Sequence, residues 1–488
     1  MTAVEVGRLG RTLPDDDAHP YRSGAWRPQH VEWQVDDVEV VEGEIPADLD
    51  GLYARNTENP LHEAISAYHP FDGDGMVHAI RFRDGAASYR NRFVRTTGLL
   101  AEQEAGASLW AGLAENPRRA VRTDGLTARG AMKDASSTDL VVHGGEVLTS
   151  FWQCGELYRL DAETLDTLGP TRWDGWFPPE GVSAHTKTDP ATGELIFFNY
   201  GKVAPYLHVG VVDRAGRLVH YTPVPLPGPR LPHDIAITEH FIVVNDLPMY
   251  WDADLLERGV HAVRMHDEPS RFGIIPRRGT AEDVRWFEAD PTYVLHWTNA
   301  YEDGDEVVLE GFHQGSPSPR KPEIDDDMWM FRYLALDWME TRLHRWRFDL
   351  KTGACREERL RDDFSEFGIV NPLRTGLDHR YVWAAQGVPG WFLFDGIVRH
   401  DTATGDDDVL RLPEGVYASE VGVAPKADAR SEDDAWIVTF SIDTVGDASE
   451  CLILDGRRIS DGPVARLRLP ERISSGTHAT WAPGSALR

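Results

Sequence analysis

Four histidines of this chain occupy four separated, strand-like settings. They are His185 in Ser183-Ala184-His185-Thr186-Lys187, His233 in Leu231-Pro232-His233-Asp234, His296 in Val294-Leu295-His296-Trp297, and His478 in Ser475-Gly476-Thr477-His478. Neutral imidazole is the commonest side-chain nitrogen donor to iron, copper and zinc. A metal held by imidazoles alone has no directly bound carboxylate, which favours redox chemistry with oxygen over hydrolysis. The four lie too far apart for one helix or loop to carry two of them. The fold must therefore bring distant segments to one axis, as the radial repetition of a propeller does. The chain has 19 histidines, so spacing alone does not single out these four.

The segments around them do. Gly51-Leu52-Tyr53-Ala54-Arg55-Asn56, followed by Phe71-Asp72-Gly73-Asp74-Gly75-Met76-Val77-His78, resembles the amino-terminal signature of the carotenoid cleavage oxygenase family. Ala184-His185-Thr186-Lys187 through Gly193-Glu194-Leu195 resembles the family's first ligand segment. Pro276-Arg277-Arg278-Gly279, Asp283-Val284-Arg285-Trp286-Phe287 and Asn299-Ala300-Tyr301-Glu302 resemble the third. The matches run from about residue 40 to 482, and the resemblance implies that the four histidines hold one Fe(II) per chain.

The resemblance also implies glutamates behind the ligands, because a metal-bound imidazole needs its second nitrogen hydrogen-bonded to fix tautomer and orientation. Glu366 in Ser365-Glu366-Phe367 and Glu420 in Ala418-Ser419-Glu420-Val421 match two of these positions. The third falls on Gln153 in Phe151-Trp152-Gln153-Cys154-Gly155. A neutral amide accepts a hydrogen bond but brings no charge, so one histidine should be held less tightly or by another group.

The chemistry implied is addition of O₂ across a conjugated alkene and its scission into two carbonyl products, with no catalytic side chain beyond the ligands. Relatives that act on phenolic stilbenes engage the phenol with a Tyr and a Lys. The matching positions here lie near Leu99 and Trp152, both apolar. A pocket without a partner for a buried hydroxyl disfavours a phenol, so a carotenoid or apocarotenoid is the expected substrate and a lignostilbene or phenylpropene the alternative. Trp297 and Phe331 are further expected residues of an apolar tunnel. Two other readings are a non-cleaving polyene-binding or isomerising relative, and an interaction propeller with no metal.

The elements that must position these residues read as all-β. Leu157-Tyr158-Arg159-Leu160-Asp161, Val211-Val212-Asp213 before Gly216, Trp346-Arg347-Phe348-Asp349 before Gly353, Arg399-His400-Asp401 before Gly405, and Ile453-Leu454-Asp455-Gly456 share one pattern: a short strand, an Asp, then a turn. Asp caps such turns through its own side chain, and Gly supplies positive φ. The spacing of these Asp residues is about fifty, as in propeller repeats, except for one longer gap. The resemblance implies seven blades, with residues 1–35 as an amino-terminal extension and 36–488 as a single propeller domain. Leu99–Ala114 and Asp326–Leu343 read as helical. The resemblance makes the insertions near 97–120 and 315–343 an apolar cap over the iron face.

Composition narrows the partners. A net charge of −30 argues against nucleic acid. Cys154, Cys355 and Cys451 form no CxxC pair, and Met1 to Gly24 is polar, so a reducing, cytoplasmic setting is expected. The Trp and Met residues of the second helical stretch are compatible with peripheral contact with a membrane, and the partners expected are O₂ and a lipophilic conjugated small molecule. Oligomeric state is not legible.

Overall fold

Antiparallel hairpins succeed one another along the chain, and their inner strands are buried on both faces. Leu195–Tyr200 is buried at all six positions, which is why these strands read as apolar runs without clean alternation. The computed structural model describes residues 2–487 apart from 114, 123–131, 252–262 and 317–334. Six sheets follow in chain order, spanning 140–170, 187–223, 236–289, 297–359, 365–411 and 416–468. The first five are four-stranded, and the sixth is six-stranded because two segments, Val416–Ala418 and Gly422–Pro425, both pair with Ala435–Asp443 and Val40–Gly43 adds to its edge. A further sheet closes the ring by pairing Ala479–Pro483 with Gly51–Arg55. Its outer strands, Val31–Val35 and Ala3–Arg8, come from the amino-terminal stretch.

The architecture is an all-β propeller with few helices. The expected count of seven blades is corrected: six blades succeed one another along the chain, and the closing sheet, drawn from both ends of the chain, is not a further repeat of the same kind. Strand-end aspartates cap the turns as expected. Asp161 accepts hydrogen bonds from the backbone N–H of Glu163 and Thr164, Asp213 from Ala215, Asp349 from Lys351 and Thr352, Asp401 from Ala403, and Asp455 from Arg457. The long gap between Asp213 and Asp349 contains the third sheet, whose corresponding hairpin is Pro276-Arg277-Arg278-Gly279, plus a two-stranded ribbon.

The helical expectations need correction. The first helix runs Thr97–Ala105 and not to Ala114, because Gly106, at φ 64°, ends it in the left-handed region. Its inner face is not wholly apolar, since Glu102 is buried and ion-paired to Lys133 Nζ at 2.7 Å. Of the second stretch, the described residues form one turn, Leu336–Met339, before the strand Thr341–Asp349. The remainder of that insertion, including Phe331, lies outside the described residues. No helix among the described residues is long and apolar enough to cross a membrane.

A buried ion cluster links the fourth and fifth sheets. Glu310 accepts from Arg345 Nε at 2.8 Å and lies 3.0 Å from His379 Nε2, and both His379 and Glu310 are buried. Burial alone would lift Glu310, but His379 and Arg345 hold it at about 2. Burial would likewise lower His379, yet Glu310 raises it. Glu310 therefore contributes stability in full above its ordinary value of 4.5 and loses it as pH falls toward 2. His379 contributes in full below its ordinary 6.5 and loses it as pH rises through its raised value. Glu310→Gln is expected to cost about 3–5 kcal/mol, as breaking a buried pair does, and to flatten both arms of a urea-denaturation pH profile. An unchanged profile would refute this assignment.

Candidate metal centre

Each of the four histidines sits one to three residues before the first strand of its sheet. His185 precedes Lys187–Thr188, His233 precedes Ala236–Ile237, His296 precedes Trp297–Asp303, and His478 precedes Ala479–Pro483. These first strands lie nearest the axis, so their leading ends bring the imidazoles together. Ring centroids of His185 lie 4.7 Å from His233, 4.9 Å from His296 and 4.5 Å from His478. His296 and His478 are 4.5 Å apart. All four are buried. His185 adopts φ 57°, a conformation that a residue with a Cβ rarely takes and that surrounding structure must impose.

The donor set fits a transition metal. Ligand nitrogens of His185, His233 and His296 all lie within 4.8 Å of one another. His185 Nε2 and His233 Nε2 are 3.1 Å apart. Two nitrogens about 2.1 Å from a metal and at right angles are about 3.0 Å apart. Burial, with the neighbouring imidazoles and Lys187, pushes His185 and His233 well below the ordinary histidine value, and burial, His478 and Lys187 do the same to His296, so these three are neutral and ready to coordinate. His478 differs: burial lowers it, but Glu420, Asp139 and Glu58 carry it up to about 9.

Three carboxylates back three of the rings. Glu366 Oε2 lies 2.7 Å from His296 Nδ1, Glu420 Oε2 3.2 Å from His478 Nδ1, and Asp139 Oδ2 2.9 Å from His185 Nδ1. Glu366 and Glu420 thus each face Nδ1 of one of the four rings. Gln153 does not: among the described residues it hydrogen-bonds to none of the four histidines, and its amide nitrogen is buried without a partner. Asp139 escaped the sequence reading, although it directly precedes the first strand of its sheet, Leu140–His143, just as the histidines precede theirs.

A second unforeseen residue is Asp234. Its Oδ1 lies 2.8 Å from Lys187 Nζ and accepts from Ile235 N, and its Oδ2 accepts from Trp297 N at 2.8 Å. One buried carboxylate thereby ties together the segments that bear His185, His233 and His296.

The expected tunnel residues divide. Trp152 packs with Ala135, Phe151 and Ala184, the last adjacent to His185, and its ring lies 5.8 Å from Phe71. Trp297 is corrected: as the first strand residue it turns into the core between the third and fourth sheets, against Phe272 and Trp346. Leu99 is buried among Leu61, Met76 and Phe93. Phe367, missed by the sequence reading, lies nearly parallel to His296 at 5.0 Å and edge-on to His478 at 4.8 Å. A cavity bordered by Phe151 has a mixed lining, in which Leu61, Tyr68, Trp110 and Met132 stand beside Asp74, Glu102 and Lys133.

The family profile described as "Retinal pigment epithelial membrane protein" matches residues 26–483. The isoeugenol monooxygenase of Pseudomonas nitroreducens is 30% identical over 485 residues, covering 95% of this chain and 98% of that protein. Among solved structures, the Pseudomonas brassicacearum lignostilbene dioxygenase superposes with a TM-score of 0.85 at 28% identity, over 97% of this chain and 100% of its own. The cobalt-substituted apocarotenoid oxygenase of Synechocystis gives a TM-score of 0.82 at 25% identity, over 94% and 98%.

Proposed function

Since this chain belongs to the carotenoid cleavage oxygenase family, we propose that it is a non-haem Fe(II) dioxygenase that splits a double bond of a lipophilic conjugated alkene into two carbonyl products. The observation that carries this reading is the convergence of His185, His233, His296 and His478 from four sheets, with carboxylates behind three of the rings. Iron(II), when bound, supplies the electrons and the template for reaction of O₂ with the alkene.

The protein's own contribution is placement. Carboxylates on Nδ1 hold each of three rings with Nε2 free for the metal. Phe367 fixes the planes of His296 and His478 and excludes water from that side. Trp152, Phe151 and Phe71 form an apolar wall beside the His185 segment, suited to the flat face of a conjugated chain. Which bond is cut then depends on how far the substrate slides past this wall, so regioselectivity is positional.

The apolar wall supports a carotenoid or apocarotenoid substrate. A second reading, an aromatic alkene bearing a polar group, is favoured by one observation: the cavity beyond Phe151 contains Lys133, ion-paired to Asp74 at 2.9 Å and to Glu102 at 2.7 Å. The test is to load the protein with Fe(II) and offer an apocarotenal and a hydroxystilbene side by side under air. Loss of the long-wavelength polyene band with formation of two carbonyl products is the expected result. Much faster turnover of the hydroxystilbene would reverse the ranking, and persistence of both substrates would refute the oxygenase reading.

A further inference from the structure

The register of the sheets exposes a regularity at the axis. Each of the seven sheets, the six blades and the closing one, presents one metal-binding or acidic side chain at the leading end of an inner strand. In order around the ring these are Asp139, His185, His233, His296, Glu366, Glu420 and His478. Every carboxylate bonds a histidine on an adjacent sheet: Asp139 with His185, Glu366 with His296, Glu420 with His478. Seven positions arranged this way make three pairs and leave one residue over, which is His233. Among the described residues, the only hydrogen-bonding contact of His233 is Nε2 with Nε2 of His185.

From this arrangement we infer that Asp139 is the third carboxylate of the centre, acting as a positioning residue for His185, and that His233 is the one ligand with no carboxyl partner. The inference rests on the four-histidine metal site proposed above. Gln153 does not supply the missing group.

The geometry of Asp139 is that of a built position. Its Oδ1 accepts from Leu140 N at 2.7 Å while Oδ2 faces His185 Nδ1, and its own carbonyl accepts from Ser150 N at 3.0 Å and Ser150 Oγ at 3.2 Å. Glu366 and Glu420 follow the same plan, each accepting a backbone N–H, from Phe367 and from Ala479, beside its imidazole. In all three cases one carboxylate is oriented by the chain and in turn orients a ring. Asp139 Oδ2 faces Nδ1 of His185, and a carboxylate oxygen of Asp139 also lies within 4.8 Å of a ring nitrogen of His478.

Asparagine at position 139 would lose the charge and would also present an N–H to either Leu140 N–H or His185 Nδ1–H. Glu420 takes both of its donors on one oxygen, Oε2, so glutamine there loses the charge alone. Asp139→Asn is therefore expected to weaken metal binding by about 10–100-fold, at least as much as Glu420→Gln, as loss of a ligand's outer partner does. Gln153→Ala is expected to stay within about twofold of the parent.

The experiment is a titration of the metal-free full chain with cobalt(II) chloride, followed by the visible ligand-field bands, with circular dichroism to establish folding. Asp139→Ser, whose hydroxyl still accepts from Leu140 N–H, gives a second variant if Asp139→Asn does not fold. Weakened binding with shifted cobalt bands in either folded variant supports the inference. Parent-like affinity and bands at position 139, or a larger loss in Gln153→Ala, would overturn it while leaving the metal site intact. Failure of the parent chain to bind cobalt would overturn the site itself, and the inference with it.

Discussion

Replacing His296 by alanine abolishes turnover and leaves the purified chain without stoichiometric metal: this is the largest effect expected from any single substitution here. Loss of a ligand's hydrogen-bond partner costs roughly 10–100-fold in metal affinity, so loss of the ligand itself must exceed about a hundredfold. The variant is informative because the fold should survive. His296 is a loop residue preceding its strand, and no ladder bond of Trp297–Asp303 depends on its side chain. The carboxyl it leaves behind, Glu366, is lifted to about 8 by burial and accepts from Phe367 N–H, so at neutral pH it can remain buried as the neutral acid. Metal content by elemental analysis, together with product formation, checks the result. A His296→Ala protein with unchanged metal and activity would remove His296 from the ligand set, and a parent chain that binds no iron would favour the interaction propeller without a metal.

The second large effect is expected at Asp234. Alanine there leaves the Lys187 ammonium without its carboxylate and orphans the N–H groups of Ile235 and Trp297 in the interior. Breaking a buried ion pair by deleting one partner costs about 3–5 kcal/mol. The cost should appear as lowered stability to urea and, because the same carboxylate joins three ligand segments, as a metal affinity lowered by more than tenfold. Asparagine is no conservative remedy, since all three groups facing Asp234 are donors and an amide offers one accepting oxygen. A variant that is destabilised yet binds metal as the parent does would reduce Asp234 to a folding role.

The sequence was legible wherever the physics is local. Asp161, Asp349 and Asp401 could be read as turn caps because each bonds backbone N–H groups two or three residues on. The four histidines were legible through their neighbouring residues, and those residues have a physical role. Lys187 and Asp234 clamp one another, while Arg55, from the amino-terminal signature, donates to Ser419 Oγ and to the carbonyl of Ser474, close to Glu420 and His478.

What stayed hidden depends on contacts between sheets. Asp139 resembles any strand-leading polar residue until its neighbour His185 is in place. Glu102 reads as the polar face of a helix, yet it is buried with Lys133. Trp297 follows a ligand and so invited a pocket role, but one step into the strand it faces the interior between two sheets. A pattern was nonetheless available: Ser137, Ser183, Ser365, Ser419 and Ser475 each stand within three residues of an axis residue and are buried. Small side chains are what a crowded axis admits.

The carboxy-terminal strand that fastens the ring also carries the fourth imidazole. Ala479–Pro483 zips onto Gly51–Arg55, and Asn56 N–H donates to the carbonyl of His478 itself. A nascent chain that has emerged from the ribosome as far as His296 already owns three ligands but has no means of completing the set. On the proposed reading, iron taken up early is only loosely held and exchanges freely until the two ends meet. Metal retention thus becomes a record of ring closure, and a nicked or truncated chain would betray itself by losing its iron before losing its blades.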